Sequence, residues 1–264
     1  TALTQEVMEK YKFIDYGLLG EYEISLKELV TALEREARKE DLKKIFGLAF
    51  RSDEHFFVNN RRSLLGRLDY LPFPDRESMP IQFYHDFEIG GKPCAPMISS
   101  RGCPFNCSFC VERQVMYSAP LYRKRDPSKV VEEMALVKEK YGAKSVYFDD
   151  QSITVFKEHV RSICREIFDA HLDIPWTCMA DVTVDCETLN LMKRAGCVGL
   201  KFGVETINPD ALRGSSKQFI NVNKAFKLVK LCKRLDIWTH ATYMVGLPND
   251  TREGVLKTLK FAIK

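Results

Sequence analysis

Ser99-Ser100-Arg101-Gly102-Cys103-Pro104-Phe105-Asn106-Cys107-Ser108-Phe109-Cys110 places three cysteines in Cys-x3-Cys-x2-Cys spacing. Gly and Pro break any helical phase, so the segment reads as a loop. Three thiolates this close together on a loop can wrap one soft metal centre. A structural zinc site or a ferredoxin-type cluster asks for a fourth ligand nearby. The nearest other cysteine, Cys94, lies on the far side of an apolar run. Three ligands on a four-iron cube leave one iron open to bind and activate a small molecule. The spacing therefore reads as a catalytic cluster held by Cys103, Cys107 and Cys110. A zinc site and three small core residues remain as plainer readings.

Outward from this loop, residues 93–264 alternate short apolar runs with amphipathic helices, the pattern of a parallel sheet with crossover helices. Ala95 to Ser99 is the first strand and leads straight into the cysteines. Asp126-Pro127 reads as N-cap and first helical residue, with Gly142 as the stop. Further strands are expected at Ser145–Phe148, Trp176–Met179, Cys197–Val204 and Ile237–Val245. Helices are expected around the Val160/Ile163/Cys164/Ile167 stripe, from Glu187, from Asn208-Pro209 and from Asn221, the last bearing Ala225, Phe226, Val229 and Cys232. Such a series curls into all or part of a barrel or spreads into a doubly wound sheet, and periodicity does not separate the two. In either, ligands bind at the carboxyl ends of the strands. Asp149-Asp150, Glu205 and Gly246-Leu247-Pro248 all fall there.

The first 92 residues differ. A Gly20-Glu21-Tyr22-Glu23 turn precedes a helix with Leu29, Val30 and Leu33, and Ile45-Phe46-Gly47-Leu48 follows. Asn59-Asn60 reads as a turn. Leu68-Asp69-Tyr70-Leu71-Pro72-Phe73-Pro74-Asp75 reads as an extended connector. At 264 residues, 45% hydrophobic and 29% charged, the chain can bury a substantial core. Nine unevenly spaced cysteines are no secreted disulfide framework and fit a reducing cytoplasm. A membrane span and a signal peptide are not expected. The net charge of +4 is mild, and Arg123-Lys124-Arg125 reads as a solvated loop rather than a nucleic-acid site. His240 reads as an ordinary core histidine, and Cys164, Cys178, Cys197 and Cys232 as buried small hydrophobes. Both ends read as cut, since the chain opens at Thr1 and the last helical pattern keeps phase to Lys264.

The cysteine loop, with an aromatic at Phe109, resembles that of the radical S-adenosylmethionine (SAM) superfamily. That resemblance implies a 4Fe–4S cluster whose open iron is chelated by SAM, and reductive cleavage of SAM to a 5′-deoxyadenosyl radical. It implies an α/β fold, a six-stranded partial (β/α) barrel of which residues 93–264 carry about five units. Tyr147-Phe148-Asp149-Asp150 stands where the family orients the SAM ammonium, with Asp150 expected to reach it and Asp149 to face the other way. Glu205 stands where the family binds the ribose hydroxyls. Gly246 opens a turn similar to the family's Gly-Leu-Pro-Gly-Glu-Thr, whose backbone passes the adenine. No other catalytic residue is indicated.

The amino-terminal motifs resemble the cobalamin-dependent branch. There, residues 1–45 would be the tail of a Rossmann-like cobalamin-binding domain and 46–92 a linker. The second glycine of the family's turn is replaced by Tyr22, which takes a positive φ with difficulty. Cobalamin itself is expected in the full-length protein, bound upstream of Thr1. The resemblance implies a methyltransferase acting on an unactivated carbon. A radical rearrangement or oxidative cyclase, and a non-catalytic electron carrier, are the alternatives. The expected partners are a small-molecule or peptide substrate and an electron donor such as a flavodoxin or ferredoxin, with no nucleic acid.

Overall fold

The structure, a computed structural model, describes residues 3–53, 55–86, 89–112, 116–117, 121–217 and 222–263. Asn221 lies outside these. The chain forms two units, residues 1–66 with 110–120 and residues 67–109 with 121–264.

In the smaller unit, α1 (Thr4–Lys10), β1 (Tyr16–Leu18), α2 (Glu23–Glu34), α3 (Lys39–Leu42), β2 (Leu48–Ser52) and β3 (His55–Val58) follow in order. The strands form one antiparallel sheet with β2 central. Leu29, Leu42, Ile45, Leu48 and Phe50 make its main core. Gly20 takes the left-handed conformation at φ +73, whereas Tyr22 caps α2 at φ −107. The tyrosine thus sits where no glycine is needed. Asn59-Asn60 is not the turn expected from sequence. The Asn59 backbone continues the β2 pairing by donating to Leu48 O, and its side-chain amide donates to Leu42 O and Ile45 O. It ties down the end of α3 instead, and the left-handed residue between β2 and β3 is Asp53.

The larger unit contains β4 (Cys94–Met97), β5 (Ser100–Cys103), β6 (Leu121–Lys124), α4 (Pro127–Glu139), β7 (Ser145–Phe148), α5 (Lys157–Asp169), β8 (Trp176–Ala180), α6 (Cys186–Arg194), β9 (Cys197–Glu205), α7 (Pro209–Gly214), α8 (Val222–Arg234), β10 (Trp238–Tyr243) and α9 (Arg252–Ala262). The Asp126 carboxylate accepts from Ser128 N, and Asn208 and Thr251 cap α7 and α9 in the same way. These are the caps that short polar side chains provide at helix starts.

Strands β4, β7, β8, β9 and β10 pair in parallel and lie side by side in chain order. A doubly wound sheet would reverse direction at a switch point. Here the winding is single, so the fold is α/β with the strand order of a partial barrel. Alternation along the strands supplies the reason. Met97, Val146, Phe148, Cys178 and Phe202 face one continuous core with Met134 of α4, Ile163 of α5, Met192 of α6 and Leu228 of α8. The intervening residues face the other side. There Lys201 pairs with Asp86 and stands 3.9 Å from the centre of the Tyr147 ring. The Thr177 hydroxyl donates to the same aspartate.

His240 pairs in register with Lys201 and is exposed on this open face, not a core residue. The four buried cysteines are as expected, but on α8 the buried row is Ala225, Leu228 and Cys232, with Phe226 and Val229 exposed. Among the described residues no helix is long and apolar enough to cross a membrane.

Candidate active site

The first strand runs through Ser99 into the β5–β6 hairpin, where Gly102 opposes Tyr122 and Cys103 opposes Leu121. Gly102 has φ +92, and a Cβ on it would lie 1.9 Å from the Leu121 carbonyl oxygen. Only glycine closes the hairpin against the start of the cysteine loop. The loop is tied further along by Ser108 N, which donates to Ser215 O at 3.0 Å.

Cys103 and Cys107 are half-exposed in the larger unit, and Cys110, also half-exposed, belongs to the smaller one. None of the nine cysteines is in a disulfide. Among the described residues, no three His, Cys, Asp or Glu side chains converge as a metal-ligand group. The donor set, three accessible thiols on one loop, nevertheless fits a soft iron–sulfur centre. Phe109 lies beneath Lys217, whose Nζ is 5.6 Å from the ring centre.

The two aspartates after β7 part company. Asp149 is exposed, and its backbone N–H donates to Met97 O. Burial, and next the Asp149 carboxylate, push the neighbouring Tyr147 phenol well above its usual range. Asp150 is 1% exposed and accepts from Ser99 N at 3.0 Å, Ser99 Oγ at 2.9 Å and Ser100 Oγ. Burial raises its carboxyl above the ordinary range, against the opposing pull of those serine bonds. Gln151 Oε1 accepts from Gly102 N at 2.9 Å. Asp150 and Gln151 thus bracket the entry to the cysteine loop, while Asp149 is the member of the pair that reaches open space.

At the end of β9 the strand carries an extra residue, with Thr242 opposite Gly203 and Tyr243 opposite Glu205. Glu205 sits in the left-handed region at φ 64, unusual for a non-glycine residue. Bulges and such outliers cluster where a side chain is re-aimed for use. The Glu205 carboxylate pairs with Lys217 Nζ at 2.5 Å through Oε1. A carboxylate accepts several bonds, so this pairing leaves acceptor capacity. Gly246 has φ +84 and nothing within 4 Å of a Cβ position, so its backbone is open to an approaching group.

Several site residues went unread in the sequence. Arg123-Lys124-Arg125 is not a solvated loop. It runs along and beyond β6, with Arg123 8% exposed. Arg125 Nη1 donates to Glu133 Oε2 at 2.6 Å and to Ile98 O at 2.8 Å. Arg76 Nη2 donates to the other oxygen of Glu133 at 2.6 Å and to Pro96 O at 3.0 Å. Asp69 accepts from Asp126 N and lies 3.9 Å from Arg125 Nε. The proline-rich connector is thereby locked onto β4 and α4. No periodic signal marks such a lock, since its members are 57 and 8 residues apart. Lys217 likewise comes from outside any regular element.

The sequence profile of the Radical SAM superfamily matches residues 97–262. An uncharacterized methyltransferase of Pyrococcus horikoshii is 31% identical over 97% of this chain and 54% of its own length. The anaerobic magnesium-protoporphyrin IX monomethyl ester cyclase of Cereibacter sphaeroides is 28% identical over 99% of this chain and 43% of its own. The chain therefore spans about half the length of these relatives. Among solved structures, the radical SAM methyltransferase TsrM of Kitasatospora setae, with cobalamin and a 4Fe–4S cluster bound, aligns with a TM-score of 0.80. It is 22% identical, with 99% of this chain and 53% of that one covered, a likeness of fold. The chain belongs to the radical SAM superfamily.

Proposed function

We infer that the whole protein is a cobalamin-dependent radical SAM methyltransferase acting on a small-molecule or peptide substrate. Membership of the family implies a 4Fe–4S cluster and SAM. The observation that carries the reading to this chain is one of placement. The cysteine loop, Asp149, Glu205 and Gly246 all follow the carboxyl ends of strands in, or leading from, one singly wound parallel sheet. That edge is where parallel α/β folds bind ligands.

In this reading Cys103, Cys107 and Cys110 hold the cluster, with Phe109 beside it. When bound, the cluster supplies an electron and SAM supplies a radical or a methyl group. The chain's own residues orient and enclose. Asp149 accepts from the ammonium of SAM, in preference to Asp150, whose acceptors are already engaged by Ser99 and Ser100. Glu205, held by Lys217, accepts from the ribose hydroxyls. Gly246 lets the adenine pass against backbone. Residues 1–45 would close the cobalamin-binding domain and 46–92 the linker. The electron would come from a small flavodoxin- or ferredoxin-like donor in a reducing cytoplasm. Methyl transfer is preferred to cyclisation because the Pyrococcus relative, named a methyltransferase, is the more similar of the two reported.

The test is anaerobic reconstitution followed by reduction in the presence of SAM. Release of 5′-deoxyadenosine or S-adenosylhomocysteine, dependent on the three cysteines, supports the reading. Iron-loaded protein that cleaves no SAM under any reductant would overturn it.

A further inference from the structure

Helix α8 differs in charge from the rest of the larger unit. It carries Lys224, Lys227, Lys230, Lys233 and Arg234 and no acidic residue. Every other described α-helix of that unit, α4, α5, α6, α7 and α9, holds at least one Asp or Glu. Residues 211–264 together hold eleven Lys and Arg against three Asp and Glu, so a charge that is mild over the whole chain is concentrated here. Acids on neighbouring elements are engaged elsewhere, Asp185 by Lys157 and Arg161, Glu187 by Arg161, Asp236 by Lys193 and Glu253 by Lys257. Among the described residues the five cations of α8 make no ion pair. Apolar surface lies between these charges. Phe226 is 45% and Val229 36% exposed, with Lys230 Nζ 4.5 Å from the centre of the Phe226 ring. On the other flank of the helix, a cleft of ≈ 280 Å³ against the start of α6 is lined by Val182, Val184, Leu228 and Leu231, with Lys224 and Lys227 beside them. A solvated helix face usually carries both signs of charge. Apolar anchors among charges of one sign are the make-up of an electrostatically steered interface.

We propose that α8 is the docking surface for an acidic protein, and that this protein is the one-electron donor. Charge complementarity fixes the sign of the partner. Four of the five cations are Lys, whereas phosphate and nucleic-acid recognition draws on the Arg fork. An anionic membrane would need the apolar side of the helix, but Ala225, Leu228 and Cys232 are buried in the core. Placement identifies what the partner does. In a parallel α/β unit the helix starts from the carboxyl edge of the strand before it. The segment leading into α8 also touches the cysteine loop, since Ser215 O accepts from Ser108 N and Lys217 Nζ lies over the Phe109 ring. A protein seated on the first turns of α8 therefore stands at the rim that carries the cysteines. One electron passes from its reduced flavin or iron–sulfur centre to the 4Fe–4S cluster, so the donor is oxidised as the cluster is reduced. That task rests on the proposed function. The acidic docking does not.

The purified chain, with and without a reconstituted cluster, is titrated calorimetrically with an acidic flavodoxin at about 50 and about 300 mM salt. Saturable binding should weaken roughly ten-fold or more across that range in both preparations, as exposed charges are screened. The double variant Lys227→Glu, Lys230→Glu should weaken binding by a similar factor at the lower salt. Lys43→Glu with Lys44→Glu makes the same change of net charge in the smaller unit and should leave the affinity within about two-fold of the parent. In stopped flow, reduction of the cluster by reduced flavodoxin should slow roughly ten-fold in the α8 variant, while dithionite reduces both proteins at rates within about two-fold. If the charge reversal does not fold, Lys227→Gln with Lys230→Gln decides. Binding that is absent, ignores salt, or survives the α8 substitutions would overturn the proposal. So would an equal loss in the smaller-unit variant, tighter binding of a nucleic-acid oligomer than of flavodoxin at the same salt, or self-association through α8 that excludes flavodoxin. Docking that delivers no electron to a loaded cluster would remove the donor role. SAM cleavage driven by dithionite is read separately and tests the enzyme reading alone.

Discussion

Glu205 folds its carboxylate back over Gly203, so closely that a Cβ on Gly203 would sit 2.0 Å from Oε1 and 2.8 Å from Nζ of Lys217. The missing side chain at 203 is the room in which the ion pair forms. The bulge at Val204 and the left-handed backbone of Glu205 aim the carboxylate into that room. A turn built this way carries local strain, which persists only where the surroundings over-determine it.

Gly203→Ala should therefore push Glu205 and Lys217 out of position while leaving the three cysteines themselves unaltered. SAM affinity is expected to fall by about 2 kcal/mol, roughly 30-fold, the typical worth of a hydrogen bond to a charged group. Iron content should match the parent. Equilibrium dialysis against labelled SAM reads the first and metal analysis the second. Parent-like SAM affinity would show that Glu205 does not touch the ligand.

Replacing Cys103, Cys107 or Cys110 by Ala should each abolish a reconstituted cluster, which in the parent holds about four irons and bleaches in air. Cys186→Ala is the control, because that thiol is exposed at the start of α6, away from the loop in sequence. Full iron retention in any loop variant would remove that cysteine from the ligand set.

The strands and helices of the larger unit were legible because their cause is local. Ser145–Phe148 is bounded by Gly142 and an aspartate pair, and Asp126-Pro127 carries both an N-cap and a fixed φ. Strand order was not legible, since alternation says which residues are buried and not which strand lies beside which. The cysteine spacing pointed to the family whose profile matches residues 97–262. The parts that escaped were pairings at long range. Arg125 reads as one of a basic run until Glu133 and Asp69 are placed beside it. Asp149 and Asp150 are chemically alike in sequence, and only Ser99 and Ser100 tell them apart.

Those serines make the aspartates separable by experiment. Asp150→Ala leaves two hydroxyls and a backbone N–H without their acceptor, and should cost on the order of 3 kcal/mol of unfolding free energy. Asp149→Ala should leave the urea midpoint nearly unchanged and instead weaken SAM binding. If Asp150→Ala keeps full stability and loses SAM, the ligand role belongs to Asp150 after all.

Glu133 is the shared counter-charge of two guanidinium groups that are 6% and 11% exposed. Glu133→Ala strands both in the protein interior, a change that typically costs about 3–5 kcal/mol. Chemical denaturation at neutral pH measures it. Replacing Lys129, whose partner Glu132 is exposed like itself, should leave the denaturation midpoint essentially unchanged. A loss at Glu133 no larger than that at Lys129 would mean that the connector is not locked by this carboxylate.

His159 gives the unit a pH signature of its own. It is 3% exposed, and its Nε2 lies 3.2 Å from the Ser99 carbonyl oxygen. Desolvation pulls its pKa down from 6.5 to about 4, with nearby Lys124 adding in the same direction and the Ser99 bond opposing. The native state therefore binds fewer protons than the unfolded chain once the pH drops below 6.5. The neutral ring's contribution is whole above that value and is lost progressively as the pH falls toward 4. The shift corresponds to about 3 kcal/mol over the whole window. Between pH 7.5 and 5 the parent should lose roughly 2 kcal/mol that His159→Phe does not lose, compared by urea unfolding at the two values. Asp150, raised by burial, works with the opposite sign and is present in both proteins, so the difference between them isolates the histidine. Parallel pH dependence in parent and variant would mean that the ring is protonated in the folded protein.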